Sequence, residues 1–136
     1  MTKLRKWLNL WLPVIAWAGL IFYLSSIPDL RSSLSEFWDT VLRKIAHMAE
    51  FCILFLLLFR AFDNSSKKLR PRRTSLGLKK MFWALLISVL YAFSDEWHQK
   101  FVFGRVSSLI DIGIDSVGAA IGWVIKTLPK SRHNTF

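Results

Sequence analysis

Cysteine is almost absent from this chain, and its scarcity removes two kinds of site. Cys52 is the only cysteine, so an intrachain disulfide and a multi-cysteine metal centre are both excluded. Histidine is also scarce: of the three present, His98 is expected near the outer surface of a membrane and His133 in the C-terminal tail. The His-x-x-Glu spacing of His47 and Glu50 occurs once and is a common accident. We therefore predict neither a metal nor a cofactor.

Acidic residues are few as well, with nine Asp and Glu against 19 Lys and Arg, which gives a formal net charge of +10. Such an excess can indicate nucleic-acid binding. Here, however, the basic residues form three clusters next to apolar runs, at Lys3–Lys6, in the central segment 63–80 and around the tail 129–136. This placement is typical of membrane topology and of contact with lipid headgroups. Membrane lipids are the expected partners, and nucleic acid is not.

Long apolar blocks dominate the composition, which is 53% hydrophobic with 7 Trp and 11 Phe. A cleaved signal peptide is the alternative interpretation of the first block, but Ser25-Ser26-Ile27-Pro28 is a poor cleavage site. We predict an all-α polytopic membrane protein, a bundle of four transmembrane helices in a single domain 1–136. The first block is long enough to cross ~30 Å of hydrocarbon, whereas the third is long enough only if it takes in Asp95, Glu96 and Gln99. The predicted helices cover about 7–27, 41–62, 81–101 and 106–126.

The charge clusters also predict the orientation. Four spans place the N-terminal arm, the central segment and the tail on one side, and all three are basic. By the positive-inside rule that side is the cytoplasm, so both termini are expected there. The loop 28–40 and the short link near Gly104 then face outward.

Ionisable and amide side chains interrupt three of the predicted spans at one depth. A rise of 1.5 Å per residue puts them within ~15 Å of the outer edge of the membrane. Because charges in lipid need partners or water, we predict one connected polar cluster that opens toward the outer face. Its expected members are His47, Glu50, Asp95, Glu96, Gln99, Arg105 and Asp111, with Arg43, Lys44 and Asp115 beside them.

The fourth run has a second feature on its polar face. Gly118 and Gly122 continue the face that carries Asp111 and Asp115. Their Gly-x-x-x-Gly spacing permits close approach of a neighbouring helix in lipid. We expect this face to pack inside the bundle.

The polar motifs resemble those of the VanZ-like membrane protein family over most of the chain. That resemblance implies a protein of the bacterial cytoplasmic membrane and a link to glycopeptide (teicoplanin) resistance. Asp115 departs from the family pattern, where Asn is expected, and it adds a charge. The matching residues are Ser25-Ser26-x-Pro28, Arg43-Lys44-x-Ala46-His47-x-x-Glu50, Ser94-Asp95-Glu96-x-x-Gln99, Gly104-Arg105, Asp111, Asp115 and Gly118.

The first functional class consistent with these residues is an enzyme or binder for an anionic lipid-linked or cell-envelope substrate. His47 would be a base or nucleophile oriented by Glu50, and Asp95 with Glu96 an acid pair. Arg105 would hold phosphate in its bidentate fork, or would pair with a carboxylate of the cluster. The candidate catalytic residues are His47, Glu50, Asp95, Glu96, Gln99 and Asp111, and the candidate substrate-binding residues are Arg105, Lys44, Arg43 and Asp115.

Two further classes use the same residues differently. A proton- or ion-coupled carrier would move its ion along the carboxylates, although four spans without an internal repeat require an oligomer for that. A structural or accessory protein would use the cluster only to lock its helices together. In each class two nearby carboxylates need a counter-charge, so at least one basic residue is expected within ion-pair reach of them.

Overall fold

The computed structural model describes residues 2–28, 35–65 and 75–128, and this part of the chain consists of four α-helices without a strand. Helix α1 spans Lys3–Ser26, α2 spans Glu36–Ser65, α3 spans Ser75–Gln99 and α4 spans Leu109–Thr127. The predicted all-α class is confirmed. The predicted polar tail, 129–136, lies outside the described residues.

Three of the helices, α1, α2 and α3, are long and apolar enough to cross a membrane. Their outward faces carry large exposed apolar side chains, a surface typical of lipid contact. Examples are Leu12, Ile15, Phe82, Trp83 and Leu90. Helix α4 differs because Asp111, Asp115 and Lys126 fall within its 19 residues.

The helices extend beyond the apolar runs that predicted them. Helix α2 begins at Glu36, so residues 36–40 belong to it, where the sequence favoured a loop, with a separate short interfacial helix around Phe37 and Trp38 as the alternative. Glu36 and Asp39 stand in its first turn, where negative charge is favourable beside the N-terminal end of the helix dipole. Helix α3 likewise begins at Ser75, six residues before the apolar run. Hydropathy therefore located the apolar part of each helix but not its ends.

Helix α2 lies at the centre of the bundle. It packs against α1, α3 and α4, and most extensively against α4. Phe51, Leu54, Phe55 and Leu58 of α2 are buried there and form much of the core. Every other helix is therefore positioned relative to α2.

The close approach of α4 to α2 requires glycine at two positions. A Cβ at Gly118 would lie 2.8 Å from Cα of Met48, and one at Gly122 would lie 2.7 Å from Cδ1 of Phe55. Both distances are too short for real carbon contacts. The Gly-x-x-x-Gly face of α4 thus lies against α2, and it brings the polar face of α4 to the polar face of α2.

Candidate functional site

The polar face of α2 lies against the polar face of α4. Lys44 Nζ is 3.2 Å from Oδ1 of Asp111, and His47 Nδ1 is 3.5 Å from Oδ1 of Asp115. Oε2 of Glu50 is 3.9 Å from the same histidine nitrogen. Spacings of three and four residues put each set on one helix face. The two helices therefore place an ammonium group and an imidazole within ion-pair distance of two carboxylates.

A second polar contact joins α1 to α3. Ser25 Oγ donates to Oδ2 of Asp95 at 2.8 Å, and Gln99 Nε2 donates to the same oxygen at 3.0 Å and to Ser25 Oγ at 3.3 Å. All three side chains are buried. Sequence reasoning missed Ser25 as a site residue, because a serine at the end of an apolar helix more often bonds to its own backbone. The sequence signal that could have identified Ser25 as a site residue was its place in the Ser25-Ser26-x-Pro28 motif.

Glu96 is directed away from Asp95, to the start of α4. Its Oε2 accepts a hydrogen bond of 3.0 Å from the backbone N–H of Ser108, the N-cap residue of α4. Adjacent helical residues point ~100° apart. The structure therefore separates the two carboxylates that the sequence suggested as an acid pair: Asp95 faces α1, and Glu96 caps α4.

Arg105 lies in the link between α3 and α4, directly after Gly104, whose φ of 79° is readily adopted only by glycine. Its Nη2 donates to the carbonyl oxygens of Leu24 at 2.9 Å and Ile27 at 3.2 Å, and its Nε donates to Ile27 at 3.3 Å. The guanidinium thus caps the C-terminal end of α1, where the helix dipole favours a cation.

The ion pair suggested for Arg105 is not formed within the described residues, since its hydrogen bonds all go to carbonyl oxygens. Burial lowers the pKa of the Arg105 guanidinium, and the like charge of Arg43 lowers it further. Arginine nonetheless stays protonated in proteins. Arg43 itself pairs with Asp39, one turn earlier on α2. The basic residue expected within ion-pair reach of the carboxylates is instead Lys44, which pairs with Asp111.

A cavity of about 230 Å³ lies between these elements. All the candidate site residues except Glu50 and Asp95 line it, and the lining comes from α2, α3, the link and α4. The volume is enough for several water molecules or a small polar group. The lining candidates are Arg43, Lys44, His47, Glu96, Gln99, Arg105, Asp111 and Asp115.

Three buried carboxylate oxygens in the described residues have no hydrogen-bond partner: Oδ1 of Asp95 and both oxygens of Asp115. Asp95 is 2% exposed and Asp115 is 1% exposed. Ligand atoms of His47, Asp95 and Asp115 also lie within 4.8 Å of one another. This trio, drawn from three helices, is the group in the described residues that could hold a metal ion, whereas the sequence predicted none.

His98 is not the solvated surface residue that its position predicted. Its Nε2 lies 2.9 Å from Oγ of Ser26, and its ring stacks on Phe22 with centroids 4.2 Å apart. The imidazole of His98 is half-buried beside the C-terminal end of α1. It stands apart from the cavity lining.

Comparison with known proteins identifies one family. The family model described as VanZ/LLP1 matches residues 10–128, which include all four helices except the first residues of α1. A search of curated proteins finds no match. A search of solved structures finds none either.

Proposed function

Because the chain belongs to the VanZ/LLP1 family, we propose that it is a four-span protein of the cell membrane whose cavity binds the anionic group of a lipid-linked or cell-envelope substrate. The observation that carries the proposal is Arg105. Its guanidinium lines the cavity and, within the described residues, forms no ion pair with a carboxylate. A planar guanidinium is well matched to phosphate and carboxylate groups.

The remaining charges of the lining strengthen this choice. Asp111 pairs with Lys44, and Asp115 lies beside His47. The third acidic residue of the lining, Glu96, accepts a hydrogen bond from a backbone N–H of the link. Arg105 has only carbonyl oxygens as partners among the described residues, and its Nη1 donates no hydrogen bond to them. An anion that enters the cavity therefore meets a charge-assisted donor that is already held in place.

Helix α4 is the fourth span of the proposed topology. Its 19 residues rise about 28 Å, close to the hydrocarbon thickness. Its charges face the bundle, since Asp115 is buried, Asp111 pairs with Lys44, and Nζ of Lys126 lies over the ring of Phe59. The basic clusters at both ends of the chain and in the central segment then lie in the cytoplasm, and the cavity opens toward the outer face.

Native mass spectrometry of the full chain tests the proposal, with phosphatidylglycerol as the anionic probe and phosphatidylcholine as the neutral one. We expect preferential binding of phosphatidylglycerol and a loss of about 10- to 150-fold in affinity in Arg105→Gln, because one charge-assisted hydrogen bond contributes about 1.5–3 kcal/mol. The matched control is Arg60→Gln. Arg60 lies on α2 and also donates to a backbone carbonyl of α1, that of Asn9, but it does not line the cavity. Equal binding of the two lipids would contradict the proposal.

A structural role is the second candidate, and it has its own support. Arg105 holds the end of α1, Glu96 holds the start of α4, and Ser25 holds α1 to α3 through Asp95. Each contact joins two elements and would stabilise the bundle without a ligand. In this case Arg105→Gln lowers the melting temperature, and the wild-type protein does not distinguish the two lipids.

A further inference from the structure

We infer that His47, Asp95 and Asp115 form a binding site for a divalent transition-metal ion, with Zn²⁺ and Mn²⁺ as the best-suited ions. One residue comes from each of α2, α3 and α4, and one ligand atom of each lies within 4.8 Å of the other two. The inference does not rest on the proposed function, because it concerns the contact of α2, α3 and α4 beside the cavity rather than Arg105.

One of the three ligand separations already matches a bound ion, and the other two lie within 4.8 Å. Zn–N and Zn–O bonds of ~2.1 Å in a tetrahedron put neighbouring ligand atoms ~3.4 Å apart. His47 Nδ1 and Asp115 Oδ1 are 3.5 Å apart. That separation lies beyond the usual 2.7–3.2 Å of an N–H···O hydrogen bond, and neither oxygen of Asp115 accepts a hydrogen bond from the described residues.

The unpartnered oxygens are an independent indication of a ligand. A buried carboxylate without a hydrogen-bond donor is costly, and buried charges are normally paired or bound to metal. Within the described residues, both oxygens of Asp115 and Oδ1 of Asp95 accept no hydrogen bond, although their side chains are only 1% and 2% exposed and His47 Nδ1 lies 3.5 Å from Asp115. A cation among them supplies the missing partner for both residues at once.

The surroundings of Asp95 orient it as metal ligands usually are. Its Oδ2 accepts hydrogen bonds from Ser25 and Gln99, and its Oδ1 has no hydrogen-bond partner among the described residues. Hydrogen bonds to the second atom of a ligand group fix its direction and tune the ion. Ser25 and Gln99 are therefore outer partners of the proposed site.

The donor set narrows the identity of the ion. Imidazole nitrogen suits Zn²⁺ and carboxylate oxygen suits Mn²⁺, whereas Mg²⁺ and Ca²⁺ prefer sites made of oxygen ligands alone. His47 and Asp115 also line the cavity, so water or a substrate oxygen can occupy a fourth position. Three protein ligands with one open position are the arrangement of catalytic rather than structural zinc sites. In this site His47 is a ligand and does not act as the base or nucleophile that the sequence suggested.

The test uses the full chain purified in detergent without chelator. Elemental analysis after loading with Zn²⁺ and desalting should give one ion per chain, and EDTA should lower the melting temperature until Zn²⁺ is added back. Mg²⁺ should not restore it. These measurements need no variant, so they stay informative even if a substitution prevents folding.

Variants then locate the site. Asp115→Asn should abolish stoichiometric Zn²⁺ binding. Asp111→Asn is the matched control, because this substitution also removes a carboxylate, one turn away on the same helix, and should leave Zn²⁺ binding intact. Ser25→Ala leaves the ligands in place and should weaken Zn²⁺ binding about 10–100-fold, the usual effect of losing an outer partner. A wild-type protein that binds no Zn²⁺ and does not respond to EDTA would overturn the inference, as would Asp115→Asn with wild-type binding. A protein that binds Zn²⁺ but does not prefer phosphatidylglycerol would contradict only the proposed function and would leave the metal site supported.

Discussion

At the scale of single residues, Arg105 combines a structural contact with a place in the lining of the cavity. Its Nε and Nη2 hold the carbonyl oxygens of Leu24 and Ile27, while the guanidinium also lines the cavity. The two roles require different properties of the side chain. Holding carbonyl oxygens needs a positive donor, whereas holding both carbonyl oxygens and an anion needs the full fork of arginine.

Arg105→Lys separates the two roles. We expect the melting temperature to fall only slightly, because the ammonium group can still donate to a carbonyl oxygen at the end of α1. We expect phosphatidylglycerol selectivity to be lost, because lysine cannot serve both partners. Thermal unfolding and native mass spectrometry of the same preparation measure the two effects. Arg60→Lys is the control, and unchanged selectivity in Arg105→Lys would show that the fork is not used for the anion.

Ser25→Ala should destabilise the protein by about 1 kcal/mol, the typical net contribution of one buried hydrogen bond, because Asp95 loses its donor from α1. Ser116→Ala is the matched control, since Ser116 donates to Ile112 of its own helix. Its substitution should change stability by a few tenths of a kcal/mol at most. Chemical denaturation in detergent micelles compares the two. Equal effects would mean that the contact between Ser25 and Asp95 contributes nothing measurable.

At the scale of elements, the close packing of α4 against α2 depends on glycines, which have no side chain, at the contact. Gly118 faces the backbone of Met48, which cannot move aside as a side chain can. Gly113, on the same helix, faces open space, because a Cβ added there would have no atom of the described residues within 4 Å. The two glycines therefore differ in packing but share helical backbone geometry.

Gly118→Ala should lower the melting temperature, because α4 must move away from α2 and the pairs formed by Lys44 and His47 must lengthen. Gly113→Ala should leave stability unchanged or raise it by up to about 1 kcal/mol, the helix propensity gain of alanine. Gly118→Leu and Gly122→Leu should lower the folded yield further. If Gly118→Ala unfolds at the wild-type temperature, the close contact of α2 and α4 is absent in the membrane.

The elements also show what the sequence could and could not predict. Hydropathy located the helices, and residue spacing predicted the polar faces of α2 and α4, because both signals are local. Asp95 lies 70 residues from Ser25 along the chain, and Arg105 lies 81 residues from Leu24, whose carbonyl oxygen holds it. Such pairs depend on how the helices pack, which no spacing encodes. Residue spacing placed Asp95 and His47 in one predicted cluster, but the approach of their ligand atoms to within 4.8 Å also depends on this packing.

At the scale of the whole molecule, the substrates that can reach the cavity depend on which side of the membrane it faces. The three basic segments predict a cytoplasmic location for both termini. The polar residues then lie in the outer half of the bilayer, where a lipid-linked or cell-envelope substrate is available. The opposite orientation would direct the cavity to the cytoplasm and exclude such substrates from it.

Cysteine accessibility in intact cells tests this orientation. In a Cys52→Ala background, a single cysteine in place of Ser33 should react with a membrane-impermeant maleimide from outside. A cysteine in place of Ser66 should react only after permeabilisation. Both positions lie in segments between the described helices. The reverse labelling pattern would reject the proposed topology.

The most direct test of the central claim is a crystal structure of the full chain grown in a lipid phase that contains brominated phosphatidylglycerol. The account predicts phosphate density in the cavity, within hydrogen-bond distance of Nη1 of Arg105, with the bromine signal along the outer surface of the bundle. A cavity that holds only water while brominated lipid is bound elsewhere on the protein would contradict it.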